Sequence, residues 1–391
     1  MKSYPDLTGI CLGFCIAVSS PMPHALAHGV NEPGGSSTVA SSKVPQSLSA
    51  NDHEALRSLA GAIGLLKDQF VDEPNWLRIM VAALRGLQAL RPGEFDVAET
   101  PGEVRLLHRS VGGAEKTISF SFSAKRPIEQ VPEHFIKAVQ FATTTAGVGL
   151  PDVINAFIDG LNALSNRKSG AVPRAPTTEA EPQVLSSDLG SAHGYLKIGR
   201  FRDGTADDVV RVINELTARG ATGVVLDLRG NQGGSFQSAV DVAGLFLAPG
   251  AEVAHSKGRA PESNARLTGR SASSFLHLPV VVLIDGATAA GAEVVAGGLR
   301  DARETPLIGE KTAGNGFVVS IYRLENGARL FLTTAQWFTP KGTSVDGAGL
   351  SPDVEILSGP TSSLSRPDPG TDVQLARAIE ALNQIVNGAV R

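Results

Sequence analysis

The chain has 391 residues, of which 42% are apolar and 19% charged, so it is long enough for two or three compact units and too apolar to be disordered throughout. Its 35 basic and 39 acidic side chains leave a net charge of −4 with no long run of either sign, which argues against nucleic acid as a partner. The 43 glycines direct attention to tight turns, where backbone can approach a ligand closely.

The first 27 residues begin with Lys2, pass through an apolar stretch from Ile10 to Val18 and reach Ala25-Leu26-Ala27, the pattern of a secretory signal peptide. That stretch is far shorter than the ~20 residues a spanning helix needs, and no other segment is long and apolar enough, so no stable membrane span is expected in the mature chain. Cys11 and Cys15 both fall inside it, leaving the mature chain no thiol. The expected product is exported, to the periplasm or the cell exterior. Residues 28–50, rich in Gly, Ser and Pro, read as a flexible leader.

Asn51 or Asp52 is placed to cap a first helix, whose apolar residues Leu56, Leu59, Ile63, Leu66 and Phe70 recur at helical steps. A second helix is predicted from about Asn75 to Leu90. Strand-like alternation follows between Phe95 and Phe122, with a hairpin at Gly112-Gly113, and two further helices are predicted near 128–142 and 151–164. Residues 51–166 thus read as a mainly helical α+β domain, and 167–192, carrying Pro, Ser and Thr with little apolar content, as a linker. Beyond it strands and helices alternate: GYLKIGRF, TADDVVRVINELTARG, GVVLDLRG, a helix near 235–247, PVVVLIDG, a helix after ATAAGAE, TPLIGE, a β-rich stretch over 317–339 and a helix around 372–386. This predicts an α/β domain over 193–391.

Two Gly-rich turns follow buried strands, the place where α/β proteins put their sites. In LDLRGNQGG, Gly233 and Gly234 are suited to offering backbone N–H groups to an oxyanion. In IDGATAAGAEVVAGG a strand runs into a helix opening with very small residues, the geometry used to expose a nucleophile, yet the stretch offers only Thr288. Glu293 reads as a first-turn carboxylate favourable to the helix dipole. His255 and His277 read as ordinary residues, and no His, Cys or carboxylate pattern points to a metal or a cofactor.

GYLKIGRF, LDLRGNQGG, PVVVLIDG, EVVAGGL, LIGEKTAGNG, LTTAQWFTPKGTSVDGAGLSPDVEI and DVQLARAIEAL, in this order, resemble the blocks of the C-terminal-processing, or tail-specific, serine peptidases. More weakly, FVDEPNWLRIMVAALRGLQAL and INAFIDGLNAL resemble the helices that precede that family's PDZ domain. The resemblance implies a crotonase-like ββα core and a peptidase site in which a serine attacks, a lysine 25 positions later is its base, and a glutamine four further on holds the lysine. Those slots fall on Ala290, Asn315 and Val319, with both spacings intact and all three side chains unsuited to the chemistry. Gly233 or Gly234 and Gly291 would be left near a bound carbonyl. A Thr288 nucleophile with Lys311 as base is the weak alternative. Only about 30 residues separate Leu164 from Gly194, too few for a PDZ domain of ~80.

The expectation is a pseudoprotease whose cleft takes a peptide or unfolded protein segment, or which serves an envelope protein partner. The alternatives are an active Ser- or Thr288-type endopeptidase, an apolar-ligand carrier, and a structural subunit.

Overall fold

The computed structural model describes residues 48–110, 112–122, 127–169, 184–189, 192–269, 275–357 and 368–389. The expected signal peptide and most of the leader lie outside these residues. The chain divides into two compact units. The first takes the described residues up to Ser165 together with Ser320–Leu332, and the second takes the remainder.

In the first unit, α1 (Ala50–Gln69) is capped by Ser49, whose hydroxyl accepts from the Asp52 N–H at 3.2 Å while the Asp52 carboxylate accepts from the Ser49 N–H. The cap therefore lies two or three residues before the expected one. Asp52 is the N3 partner of a capping box, so the helix begins inside the segment read as leader. Helix α2 (Trp76–Leu90) is capped by Asn75. Strands β1 (Phe95–Thr100), β2 (Glu103–Arg109) and β3 (Glu115–Ser121) form an antiparallel meander. Its second turn is the expected Gly112-Gly113 hairpin, and its first lies at Pro101-Gly102. Helices α3 (Pro127–Ala146) and α4 (Leu150–Ser169) complete the unit.

Helix α2 crosses α4 at two glycines. A Cβ on Gly86 would sit 1.7 Å from the Ala156 carbonyl oxygen, and one on Gly160 would sit 2.1 Å from that of Ala82. The core around them includes Leu59, Ile63, Ile79, Phe135 and Phe157, together with Leu324, Leu330 and Leu332 from far along the chain. Polar contacts reinforce the insertion: the Asn326 N–H donates to Ser58 Oγ (2.8 Å), and Asn162 bonds both the Arg329 carbonyl and the Phe331 N–H.

The second unit is built on a sheet in the order β13-β10-β9-β6-β5-β4. Its strands are β4 (Val184–Asp188), β5 (His193–Ile198), β6 (Gly223–Asp227), β9 (Val280–Ile284), β10 (Leu307–Gly309) and β13 (Val354–Glu355). All neighbours are parallel except β4 and β5. Strands β6 and β9 are buried on both faces, which is why they read as unbroken apolar runs. Leu196, Leu226 and Val282 face α5 (Thr205–Ala218), α6 (Phe236–Gly244) and α7 (Gly291–Arg303), while Tyr195, Val225 and Leu283 face α8 (Val373–Ala389). A second sheet runs β11-β12-β7-β8, from β7 (Glu252–Lys257), β8 (Ala265–Thr268), β11 (Phe317–Arg323) and β12 (Arg329–Phe338). Strand β4 lies within the segment read as linker, and β7 and β8 were not anticipated.

One buried ionic network fixes the first Gly-rich turn at the end of β6. The fully buried Asp227 accepts from Tyr195 Oη (2.7 Å) and from Arg229 Nη2 (2.6 Å), and Arg229 also reaches Asp372 at the start of α8 (2.8 Å). Burial alone would raise the Asp227 carboxyl, but Arg229, Lys197 and Tyr195 hold it below its ordinary range. Removing one partner strands a charge in the interior. Arg229→Leu is therefore expected to reduce stability by about 3–5 kcal/mol in urea unfolding, and a change under 1 kcal/mol would show the network to be dispensable.

Candidate active site

The turn after β6 is organised by the fully buried Asn231. Its Nδ2 donates to the Ile198 carbonyl (2.9 Å), its Oδ1 accepts from the Gly233 N–H (2.8 Å), and its own carbonyl accepts from the Ala289 N–H (2.9 Å). One asparagine thus locks the first Gly-rich turn and joins it to the second. Gly233 at φ +97° and Gly234 at φ +131° both need glycine, and a Cβ on Gly234 would meet the Phe201 carbonyl oxygen at 2.0 Å. Because the Gly233 N–H is committed to Asn231, Gly234 is the member of the pair left to offer a donor.

The second turn rests on Asp285 and Thr288. Asp285 Oδ1 accepts from the Thr288 N–H (2.8 Å), and the Gly230 N–H donates to the same carboxylate (3.0 Å). The Thr288 hydroxyl is fully buried, accepts from the Asp285 N–H (2.9 Å), and has the Leu228 carbonyl (3.0 Å) and Asp285 Oδ1 (2.9 Å) as acceptors for its single hydrogen. It holds two turns together and faces no opening. Lys311 is exposed.

Ala290 stands at the N-cap of α7 with φ +50° and ψ −115°, a conformation alanine rarely adopts. A Cβ on Gly233 would sit 2.8 Å from the Ala290 Cβ and 3.1 Å from the Gly291 nitrogen, so the first turn packs directly on this slot. Such a strained strand-to-helix corner presents a side chain outward, and here it presents a methyl group.

Glu293 brings the 290 and 315 slots together. It is fully buried, and its Oε2 accepts from the Ala290 N–H (2.9 Å) and the Asn315 N–H (2.8 Å). Its Oε1 accepts from the Gly314 N–H (2.8 Å) and from the Thr312 hydroxyl, which in turn accepts from the Leu350 N–H (2.7 Å). Burial pushes the Glu293 carboxyl above its ordinary range, against the pull of these hydrogen bonds. Asn315 is held further by its carbonyl, which accepts from Trp337 Nε1 (3.1 Å), while its buried Oδ1 has no donor. Val319 lies on β11, half-buried. Among the described residues, no group of three or more His, Cys, Asp or Glu is placed to hold a metal.

Residues 192–356 match the model of peptidase family S41. Over that segment the resemblance to the tail-specific peptidases read from the sequence is borne out. Within it the S41 core is the mixed α/β unit described above, and the mainly helical unit, apart from its Ser320–Leu332 segment, precedes it in sequence. The carboxyl-terminal-processing protease of Synechocystis sp. is 32% identical over 200 residues, which cover 51% of this chain and 46% of that protein. The carboxy-terminal-processing protease of Bartonella bacilliformis is 38% identical over 168 residues, covering 42% of this chain and 38% of that one. The matched region thus spans less than half the length of these relatives. Among solved structures, the photosystem II D1 C-terminal processing protease aligns with a TM-score of 0.46 at 16% identity, covering 79% of this chain and 94% of that chain.

Sequence reasoning singled out residues 290 and 315 but missed what joins them. It assigned Glu293 only to the helix dipole, and it gave no role to Asn231 or Thr312. A signal was present for Asn231, an asparagine two residues before a glycine in a turn, where its amide can bond its own backbone. For Thr312 there was none, because its partners lie 19 and 38 residues away.

Proposed function

We propose that this chain is a pseudoprotease of the S41 family, which binds a segment of unfolded polypeptide in its site without cleaving it. One observation carries the reading: the strained corner at Ala290 and the Glu293 tie to Asn315 retain the frame of a nucleophile and its base, while the frame holds a methyl group and a carboxamide. Acyl transfer needs an oxygen or sulfur nucleophile and a base for its proton, and neither side chain supplies one. The site belongs, in this reading, to an exported protein of the periplasm or cell exterior, with no PDZ domain between its two units. Its partner is an unfolded segment or an exposed tail of another envelope protein.

A Thr288-dependent peptidase is disfavoured because that hydroxyl is buried and fully engaged in hydrogen bonds. Thr288→Ala should lower stability by about 1–2 kcal/mol in thermal unfolding and change no proteolytic rate. A fluorophosphonate probe that labels Thr288 in the wild-type protein would sink the proposal. The direct test is calorimetry with unstructured peptides, in which heat of binding without cleavage products is the expected result.

A further inference from the structure

We infer that the chain associates with a second copy of itself through the open edge of β3, joining two three-stranded meanders into one six-stranded antiparallel sheet. The inference concerns the first unit and goes beyond the reading of the S41-type site, on which it does not depend. It starts from where the backbone of β3 points. Strand β2 is the central strand of the meander, so β3 is an edge. The Ser110 N–H donates to the Ala114 carbonyl (2.9 Å), the Phe122 N–H donates to the Gly102 carbonyl (2.9 Å), and the register between them runs without a shift from Arg109 opposite Glu115 to Glu103 opposite Ser121. In an antiparallel ladder such bonded pairs alternate, so Lys116, Ile118 and Phe120 bond β2 while Glu115, Thr117, Ser119 and Ser121 turn their N–H and C=O groups away from it. Those four residues are exposed, and these backbone groups bond nothing among the described residues.

A regular open edge of seven residues is a template for another strand unless charge, proline or a bulge guards it. Strand β3 has neither proline nor bulge, and its only charged residues, Glu115 and Lys116, stand at its first end. That one-sided pattern selects the partner. In an antiparallel pair of two copies centred on Ile118, Glu115 of each copy lies opposite Ser121 of the other, Lys116 opposite Phe120 and Thr117 opposite Ser119, so no like charges meet. The outward-turned residues of one copy then face those of the other, and every one of them gains a bonded partner. Parallel pairing in register would instead set Glu115 beside Glu115 and Lys116 beside Lys116. At the centre the two Ile118 side chains, half-buried in the single chain, meet in a non-bonded pair with Cα atoms about 4.5 Å apart, the closest approach a ladder offers. Strand β1, the other edge of the meander, carries an acid near each end, Asp96 and Glu99, so two copies paired there would bring acid to acid.

Such an edge buries less than the ~800 Å² per partner of a standard interface, so the dimer is expected to be weak, with a Kd on the order of 10–100 µM. The experiment is sedimentation equilibrium of the full chain from about 1 to about 500 µM, which brackets that range and should show a monomer–dimer equilibrium. Thr117→Pro removes an N–H that faces solvent in the monomer and the second copy in the dimer, so it should weaken association about tenfold or more with thermal unfolding unchanged. Thr117→Lys with Ser119→Lys sets like charges opposite each other across the new edge and should weaken association about fivefold or more, whereas Thr117→Lys with Ser119→Glu makes each cross-pair a salt bridge and should return it to within about threefold of wild type. Both pairs of substitutions sit on the exposed face, so they test the interface even where the proline variant fails to fold. Ile118→Cys should give, on mild oxidation, a disulfide between position 118 of the two copies, identified by mass spectrometry of the linked peptide. A chain that stays monomeric throughout the concentration range, or a dimer that the paired lysines leave intact, overturns the inference.

Discussion

The triple variant Ala290→Ser, Asn315→Lys, Val319→Gln is expected to cut an unfolded reporter protein that the wild-type chain leaves intact. Loss of a nucleophile in a serine peptidase lowers turnover by ~10⁶, so the wild-type rate should be indistinguishable from that of buffer. The full factor will not return, since misplacement of a reacting group by 1 Å costs about 10²-fold and no neighbour has been selected around the new side chains. An increase of about 10²- to 10⁴-fold in initial rate is the expected range. The recovery depends on what the fold has kept: the corner at Ala290, the close-packed Gly233, and the shared Glu293 oxygen that sets the 290 and 315 backbones side by side. Ala290→Ser alone should stay within about tenfold of background, because a serine without a base remains protonated. A wild-type chain that cuts as fast as the triple variant would remove the premise. A silent triple variant whose thermal unfolding matches wild type would show that the cleft no longer admits a chain in reactive register.

What was legible beforehand follows from how local each signal is. Strands β6 and β9 and helix α7 stood out because burial on both sides makes GVVLD and VVVLI unbroken apolar runs that end in glycine turns. Strands β7 and β8 carry charged and polar residues, and the loop between them contains Gly258 and Pro261, so neither period nor propensity marked them. Strand β4, in VLSSD, was hidden by its Pro- and Ser-rich surroundings. Nothing local reveals that Leu324, Leu330 and Leu332 belong to the core of the first unit, since their partners lie more than a hundred residues earlier. At the site the sequence singled out Ala290 and Asn315 by their spacing of 25, and Glu293 bonds the backbone N–H of both. That joining atom was not legible. A carboxylate on a first helical turn is common, and only folding shows that its acceptors are filled from a loop 19 to 22 residues on.

Glu293→Ala is expected to have the largest stability effect of any single change in the site, a loss of about 3–5 kcal/mol in urea unfolding. The mutation leaves three backbone N–H groups and the Thr312 hydroxyl without their acceptor in an interior that admits little water, and each such group costs about 1–3 kcal/mol. Partial collapse of the loop offsets some of the sum. In the repaired background the same change should abolish the recovered cleavage, since the 290 and 315 backbones are no longer tied. Glu293→Gln separates charge from shape. Burial raises the folded-state carboxyl above its unfolded value, so the ionised form is the one that folding disfavours. The contribution of Glu293 to stability is therefore fully present below the unfolded pKa and is lost as pH rises through the folded one. Relative to Glu293→Gln, the wild-type chain should gain most below about pH 4 and progressively less as pH rises above it. A difference that grows with pH would mean that the four donors stabilise the carboxylate more than burial penalises it, and would make Glu293 a fixed negative charge in the site at every pH at which the protein is folded.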